Sequence, residues 1–226
     1  MRRRRGWTLT YLLTHLLTYL LTGLLAQVNA TLTWLDMAQN ELGALGGQAF
    51  AAALRANNAL QSLDLSRNEL GPIGGVTLAA ALAANACLTK LDLSQNELGA
   101  RGAVACGDAL KVNCTLSTLH VAQNGFGSEG GSGLAAGLAI NQALSTLNVD
   151  RNGLGVAGGE ALAAALRHQT SSLTSLGASR NGLSTSGAAL ADALGTCKAL
   201  QVYMHACLCA WAPARPCRCI WMHVCA

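Results

Sequence analysis

Leucines recur along this chain in a fixed phrase, and the phrase and its interval predict the elements. Leu60-Gln61-Ser62-Leu63-Asp64-Leu65-Ser66-Arg67-Asn68-Glu69-Leu70-Gly71 returns as Leu88 to Gly99, with Leu91, Leu93, Asn96 and Leu98 in equivalent places. Copies begin at Leu32, Leu60, Leu88, Leu116, Leu144 and Leu173, in steps of 28, 28, 28, 28 and 29 residues, and a worn seventh starts at Leu200. Inside each phrase, leucines flank one polar residue, as in Leu63-Asp64-Leu65. That period of two belongs to a short strand with one face buried. Further on the period changes. Phe50, Ala53 and Leu54 recur as Leu78, Ala81 and Leu82, then Cys106, Ala109 and Leu110, then Leu134, Gly137 and Leu138, and twice more from Leu162 and Leu190. Spacing of i, i+3, i+4 places each trio on one face of a helix.

Polar and glycine columns mark the turns between strand and helix. Asn40, Asn68, Asn96, Asn124, Asn152 and Asn181 stand where the chain leaves the strand. A carboxamide both donates and accepts, so stacked copies can satisfy the buried backbone of neighbouring turns as an asparagine ladder. Two glycine columns follow, one from Gly43 to Gly155 ending in Ser184, the other from Gly46 to Gly187. They permit turn conformations and close backbone approach before the helix. No G-K-[ST] follows them, which excludes a phosphate loop. A further column, Asn57, Asn85, Asn113 and Asn141, falls at the helix ends, where an Asn cap is expected.

One strand and one helix cannot bury their own apolar face, so the copies must stack. Strands stack about 4.8 Å apart and helices about 8–10 Å apart, and the mismatch bends the array with strands inside. The expected fold is an α/β solenoid, a right-handed horseshoe with parallel strands on the concave face and helices on the convex face. The 28-residue unit L-x-x-L-x-L-x-x-N-x-L-G followed by a helix resembles the ribonuclease-inhibitor-like class of leucine-rich repeats. Leu88-Thr89-Lys90-Leu91-Asp92-Leu93-Ser94-Gln95-Asn96-Glu97-Leu98-Gly99 is especially similar to the C-terminal arrays of NOD-like receptors. That resemblance covers residues 18 to 205 and implies protein binding on the concave face. Ran GTPase-activating proteins share the class, but no motif here carries their active residues.

Stacking in register makes columns of the outward strand positions. The first holds Trp34, Ser62, Lys90, Thr118, Thr146 and Ser175; the second holds Asp36, Asp64, Asp92, His120, Asn148 and Gly177. Asp150 belongs to a third column, and Arg67, Arg151 and Arg180 to a fourth. The expected binding residues are Trp34, Asp36, Asp64, Arg67, Lys90, Asp92, His120, Asp150, Arg151 and Arg180. Asp36, Asp64 and Asp92 form an acidic stripe suited to basic side chains, with Trp34 as an aromatic anchor at the same end. The rival reading is that Asp is simply the repeat's preferred residue at this position. His120 has no Ser or Cys partner defined by a motif, and no triad, metal set or paired-carboxylate motif emerges, so no enzyme and no cofactor are expected.

Composition changes this picture at the ends. The formal charge of +4 includes Arg2 to Arg5, Arg215 and Arg218; without those six the array is near −2, and no basic, aromatic-interleaved stripe runs through it. Nucleic acid is therefore disfavoured as a partner. Residues 7–26 are uncharged and rich in Leu and Thr. They fit a signal peptide or membrane anchor, but also a capping helix. Asn29 lies 28 residues before Asn57, and Leu25 aligns with Ala53, so residues 18–30 also fit the helix of an incomplete first repeat. The capping reading is preferred. Asn29-Ala30-Thr31 and Asn113-Cys114-Thr115 match glycosylation acceptors, although the repeat already accounts for both asparagines. Cys106 stands in an apolar column and reads as a buried thiol, which favours a reducing compartment.

Cys207, Cys209, Cys217 and Cys219, with His205 and His223, invite zinc, but their spacing is tighter than structural sites use. No metal is expected. The domains expected are a basic, Leu/Thr-rich segment over 1–30, the repeat array over 31–205, and a Cys-rich, poorly ordered tail over 206–226. The chain as a whole is expected to be a cytoplasmic, monomeric scaffold for another protein. Secretion or membrane anchoring through 7–26, GTPase regulation of the Ran-activator type, and a fragment of a NOD-like receptor are the alternatives.

Overall fold

The computed structural model describes Gly23 and residues 30–168, 172–195, 201–207 and 219–224. The repeat phrase becomes an alternation of strands and helices: β1 (Trp34–Asp36), α1 (Gly43–Ala56), β2 (Ser62–Asp64), α2 (Gly71–Ala84), β3 (Lys90–Asp92), α3 (Gly99–Leu110), β4 (Thr118–His120), α4 (Gly127–Leu138), β5 (Thr146–Asn148), α5 (Gly155–His168), β6 (Ser175–Gly177) and α6 (Ser186–Gly195). Two longer strands follow, β7 (Gln201–Cys207) and β8 (Cys219–Val224). All belong to one sheet in chain order. Pairing is parallel from β1 to β7, and Leu35, Leu63, Leu91, Leu119, Leu147 and Leu176 are successive partners. The chain is thus an α/β solenoid, with each helix beside the helix of the next copy.

The core is one continuous stack. The middle strand leucines Leu63, Leu91, Leu119, Leu147 and Leu176 and the helix trios, such as Leu78, Ala81 and Leu82, belong to one buried cluster, with Leu35 partly buried against it. Cys106 sits in this core, 1% exposed, and burial pushes its thiol up to about 12, so it behaves as a small apolar group.

The helix ends differ from the expected cap. Asn57 and Asn85 close α1 and α2 in extended backbone, φ −85° and −84°, and not in the left-handed conformation. Their side chains instead form a second ladder. Asn85 Nδ2 donates to the carbonyls of Leu54 and Asn57, while its Oδ1 accepts from the amides of Cys87 and Leu88. Asn113 and Asn141 repeat both halves of this arrangement.

At the far end, β8 pairs antiparallel with β7, with Val202 opposite Val224 and Cys207 opposite Cys219. Within the tail over 206–226, the described residues Cys219–Val224 form β8. The alternation Ile220, Met222, Val224 carries a strand's period of two, which the loss of the repeat phrase hid. Residues 7–22 and 24–26 of the Leu/Thr-rich segment lie outside the described residues, as do Cys197, Cys209, Cys217 and Cys225. Among the described residues, no helix is long and apolar enough to cross a membrane, and no group of three or more His, Cys, Asp or Glu could hold a metal.

Candidate functional site: the concave face

Register turns the outward strand positions into columns. Trp34, Ser62, Lys90, Thr118, Thr146 and Ser175 are consecutive partners, and so are Asp36, Asp64, Asp92, His120, Asn148 and Gly177. Neighbouring members of a column stand about 5 Å apart. Trp34 is 59% exposed.

The aspartates of the second column also have a structural task. Oδ1 of Asp36, Asp64 and Asp92 accepts the amide of the residue two further on, Ala38, Ser66 and Ser94. Asn148 does the same for Asp150. This local bond, an Asx turn, ends the strand and turns the chain toward the ladder. It uses one oxygen and leaves the other for neighbours or a partner. Asp92 spends its Oδ2 on His120 Nδ1, 3.3 Å away. Burial alone would raise the Asp92 carboxyl; hydrogen bonds from His120 and Ser94, with the charge of His120, outweigh it and hold the group below the usual aspartate value. At Gly177 an added Cβ would lie 3.0 Å from Asn148 Oδ1 and 3.3 Å from Asp150 Oδ1, a tight fit, and the register runs on to Tyr203. Asp150 Oδ1 takes the Ser179 amide at 2.6 Å, so this carboxylate ties two copies together.

Arg67, Arg151 and Arg180 lie just past the strands, beside the ladder asparagines, each in left-handed backbone with φ of 57°, 55° and 56°. Gln39, Gln95 and Gln123 share that conformation, each just before a ladder asparagine. Asn96 Oδ1 accepts the Asn68 amide, and its Nδ2 donates to the carbonyls of Leu65, Leu93 and Ser94. Asn68, Asn124, Asn152 and Asn181 are likewise buried. Asn40 is different: it is exposed, and among the described residues its Nδ2 reaches only the local carbonyls of Met37 and Ala38. No described strand precedes β1 to cover it.

The expected residues therefore form two groups. Trp34, Asp36, Asp64, Lys90, Asp92 and His120 are contiguous over β1–β4. Arg151 and Arg180 sit in adjacent copies beyond β5 and β6, near Asp150, while Arg67 lies at the acidic end. Among the described residues, none of Arg67, Lys90, Arg151 and Arg180 is ion-paired. The sequence reading missed a further column, Glu41, Glu69 and Glu97, exposed at φ of 51°, 55° and 57° one residue past the ladder. The repeated Asn-Glu-Leu-Gly was its signal. Gly125, Gly153 and Gly182 hold the same position in the later copies. The acidic end is thus broader than the stripe, and the face grades from acidic over β1–β3 to basic beyond β5 and β6.

The family described as Leucine Rich repeat matches five segments of this chain, residues 28–51, 56–79, 84–105, 112–135 and 141–163. No protein with a curated description shows significant sequence similarity to it. Two examples stand for the solved structures that share the fold. One is the actin-binding site 2 of leiomodin-1, with a TM-score of 0.54 at 18% identity, covering 77% of this chain and 86% of that one. The other is the tropomodulin C-terminal domain of Caenorhabditis elegans, with a TM-score of 0.52 at 13% identity, covering 79% and 92%.

Proposed function

Because the chain belongs to the leucine-rich repeat family, we propose that it is a non-enzymatic, monomeric, cytoplasmic scaffold that holds another protein against its concave face. The partner's basic side chains lie over β1–β3. One observation carries this reading. Asp36 and Asp64 present carboxylates in register, each with one oxygen engaged by its own turn, while the cations of the same face stand unpaired among the described residues. Charge exposed in rows on a rigid sheet steers and orients a partner more than it holds the fold together. The 28-residue unit supports placement in the ribonuclease-inhibitor-like class. The leiomodin-1 structure, whose fold this chain shares, is described as an actin-binding site. That makes actin a reasonable first probe.

The test is retention by the immobilised chain of purified actin, of purified small GTPases, and of proteins from cell extract. A chain carrying Asp36→Asn, Asp64→Asn and Asp92→Asn is compared with an Ile73→Ala control on exposed α2. The expected result is a protein bound about tenfold more weakly by the triple variant at low salt and equally by the control, a difference of ~1.4 kcal/mol. Equal retention by the triple variant with loss in the control would move the site to the helices. Acceleration of GTP hydrolysis by the parent would replace the scaffold with a GTPase regulator.

A further inference from the structure

We propose that the partner presents a bipolar polypeptide segment: its basic end lies over the carboxylates of β1–β3, and a carboxylate about 14–19 Å further along is held between Arg151 and Arg180. This rests on the concave-face reading above and adds the chemistry of the segment's other end. Two outward columns make the acidic end. Asp36, Asp64 and Asp92 stand in one, and Glu41, Glu69 and Glu97 in the other, against the cations Arg67 and Lys90. From the fourth copy onward the same two columns hold His120, Asn148 and Gly177, and Gly125, Gly153 and Gly182. The three glutamates sit in left-handed backbone, φ 51°, 55° and 57°, where the later copies use glycine. Charge is thus kept in the first three copies at a cost in backbone strain.

The basic end is a pair. The Arg151 amide donates to the Ser179 carbonyl at 2.8 Å, which sets Arg151 and Arg180 side by side in adjacent copies, with backbones about 5 Å apart. Both are exposed, and among the described residues neither is ion-paired. Asp150, next to Arg151 in the chain, is tied through Oδ1 to the Ser179 amide. Two guanidinium groups in one column repel unless an anion lies between them, and their planar forks match a carboxylate. A nucleic acid or an anionic bilayer laid along this face would meet the carboxylates of β1–β3 as well as the arginines, and would be repelled there. A polypeptide that carries both signs meets attraction at both ends. Thr118, Thr146 and Asn148 between the ends are uncharged, so the strands set the span. From β2 to β5 and β6 there are three and four steps of about 4.8 Å, the length of roughly ten to thirteen residues of helix.

The probe is a synthetic helical peptide with a Glu cluster near its N-terminus and a Lys cluster near its C-terminus, separated by about eleven Ala and Gln residues. A second peptide carries Gln in place of every Glu. Binding of each to the full chain is measured by fluorescence anisotropy at low salt. The parent should bind the Glu peptide about tenfold more tightly than the Gln peptide. Arg151→Gln together with Arg180→Gln should erase that difference and leave the affinity for the Gln peptide unchanged. Glutamine suits the test because Gln39, Gln95 and Gln123 occupy the same column in the same left-handed backbone, so the fold already accepts it there. Asp36→Asn, Asp64→Asn and Asp92→Asn combined should weaken both peptides. Equal affinity of the parent for the two peptides, or a difference that survives loss of both arginines, would overturn the bipolar partner and leave the acidic stripe its role. Unchanged binding of the Gln peptide by the aspartate variant would remove that role, and the bipolar partner with it.

Discussion

Asn96 shows how much one carboxamide carries. It is fully buried and serves amides and carbonyls of its own turn and of the preceding copy. Asn96→Ala leaves several of these without partners, at about 1–3 kcal/mol each before relaxation. A fall in the thermal midpoint of several degrees is expected. Asn40→Ala, at the exposed first rung, should change stability by less than about 0.5 kcal/mol. Comparing the two melts separates the ladder from a generic effect of losing Asn. The ladder was legible in the sequence because Asn recurs in step, but the exposure of Asn40 was not, since a column of letters carries no information on what covers its first member. The backbone next to the ladder was hidden for a related reason. Glu97 at φ 57° occupies a conformation that costs an L-residue roughly 1–2 kcal/mol, and Gly153 shows the unstrained solution two copies later. Glu97→Gly should therefore stabilise by about 0.5–1 kcal/mol in chemical denaturation, the relief of strain exceeding the added freedom of the unfolded chain.

Among the elements, the helices were readable from the i, i+3, i+4 trio, and the three-residue strands only because their phrase is repeated. What the pattern concealed was the close backbone approach of α3 and α4. Where other copies place alanine or, once, Thr77, α3 and α4 meet through Gly107, Gly133 and Gly137; a Cβ on Gly137 would overlap the Gly107 carbonyl, and one on Gly107 would overlap that of Gly133. Helix propensity alone favours Gly137→Ala by up to ~1 kcal/mol. The clash is with backbone, which cannot move aside as a side chain can, and overpacking costs about 1–3 kcal/mol. Net destabilisation is expected. Gly187→Ala in α6, where an added Cβ would meet nothing within 4 Å, should instead be neutral or stabilising by a few tenths of a kcal/mol. Urea midpoints of the two variants moving in the same direction would count against this account of the α3–α4 contact.

Across the array, charge and stability are coupled through the aspartate column. The column itself was visible in the sequence. Its double role was not, because the bond from Oδ1 to the amide two residues on depends on the strand's end geometry. Asp92, with its carboxyl held low, stabilises the fold fully above the unfolded aspartate value near 3.9, and that contribution fades as pH falls through its lower folded value. Asp92→Asn should flatten the acid limb of the stability curve. Asp64 has no cation within ion-pairing distance among the described residues and stands between two like charges, Asp36 and Asp92. Asn148 shows that a carboxamide makes the same turn bond. Asp64→Asn therefore keeps the turn and removes the repulsion, and the array should gain a few tenths of a kcal/mol at low salt, a gain erased near 0.5 M salt. If the concave face holds a basic partner, the same variant must bind it less well. A chain that becomes more stable while binding more weakly has given up stability for recognition, whereas lower stability with unchanged binding would return the aspartates to a purely structural role.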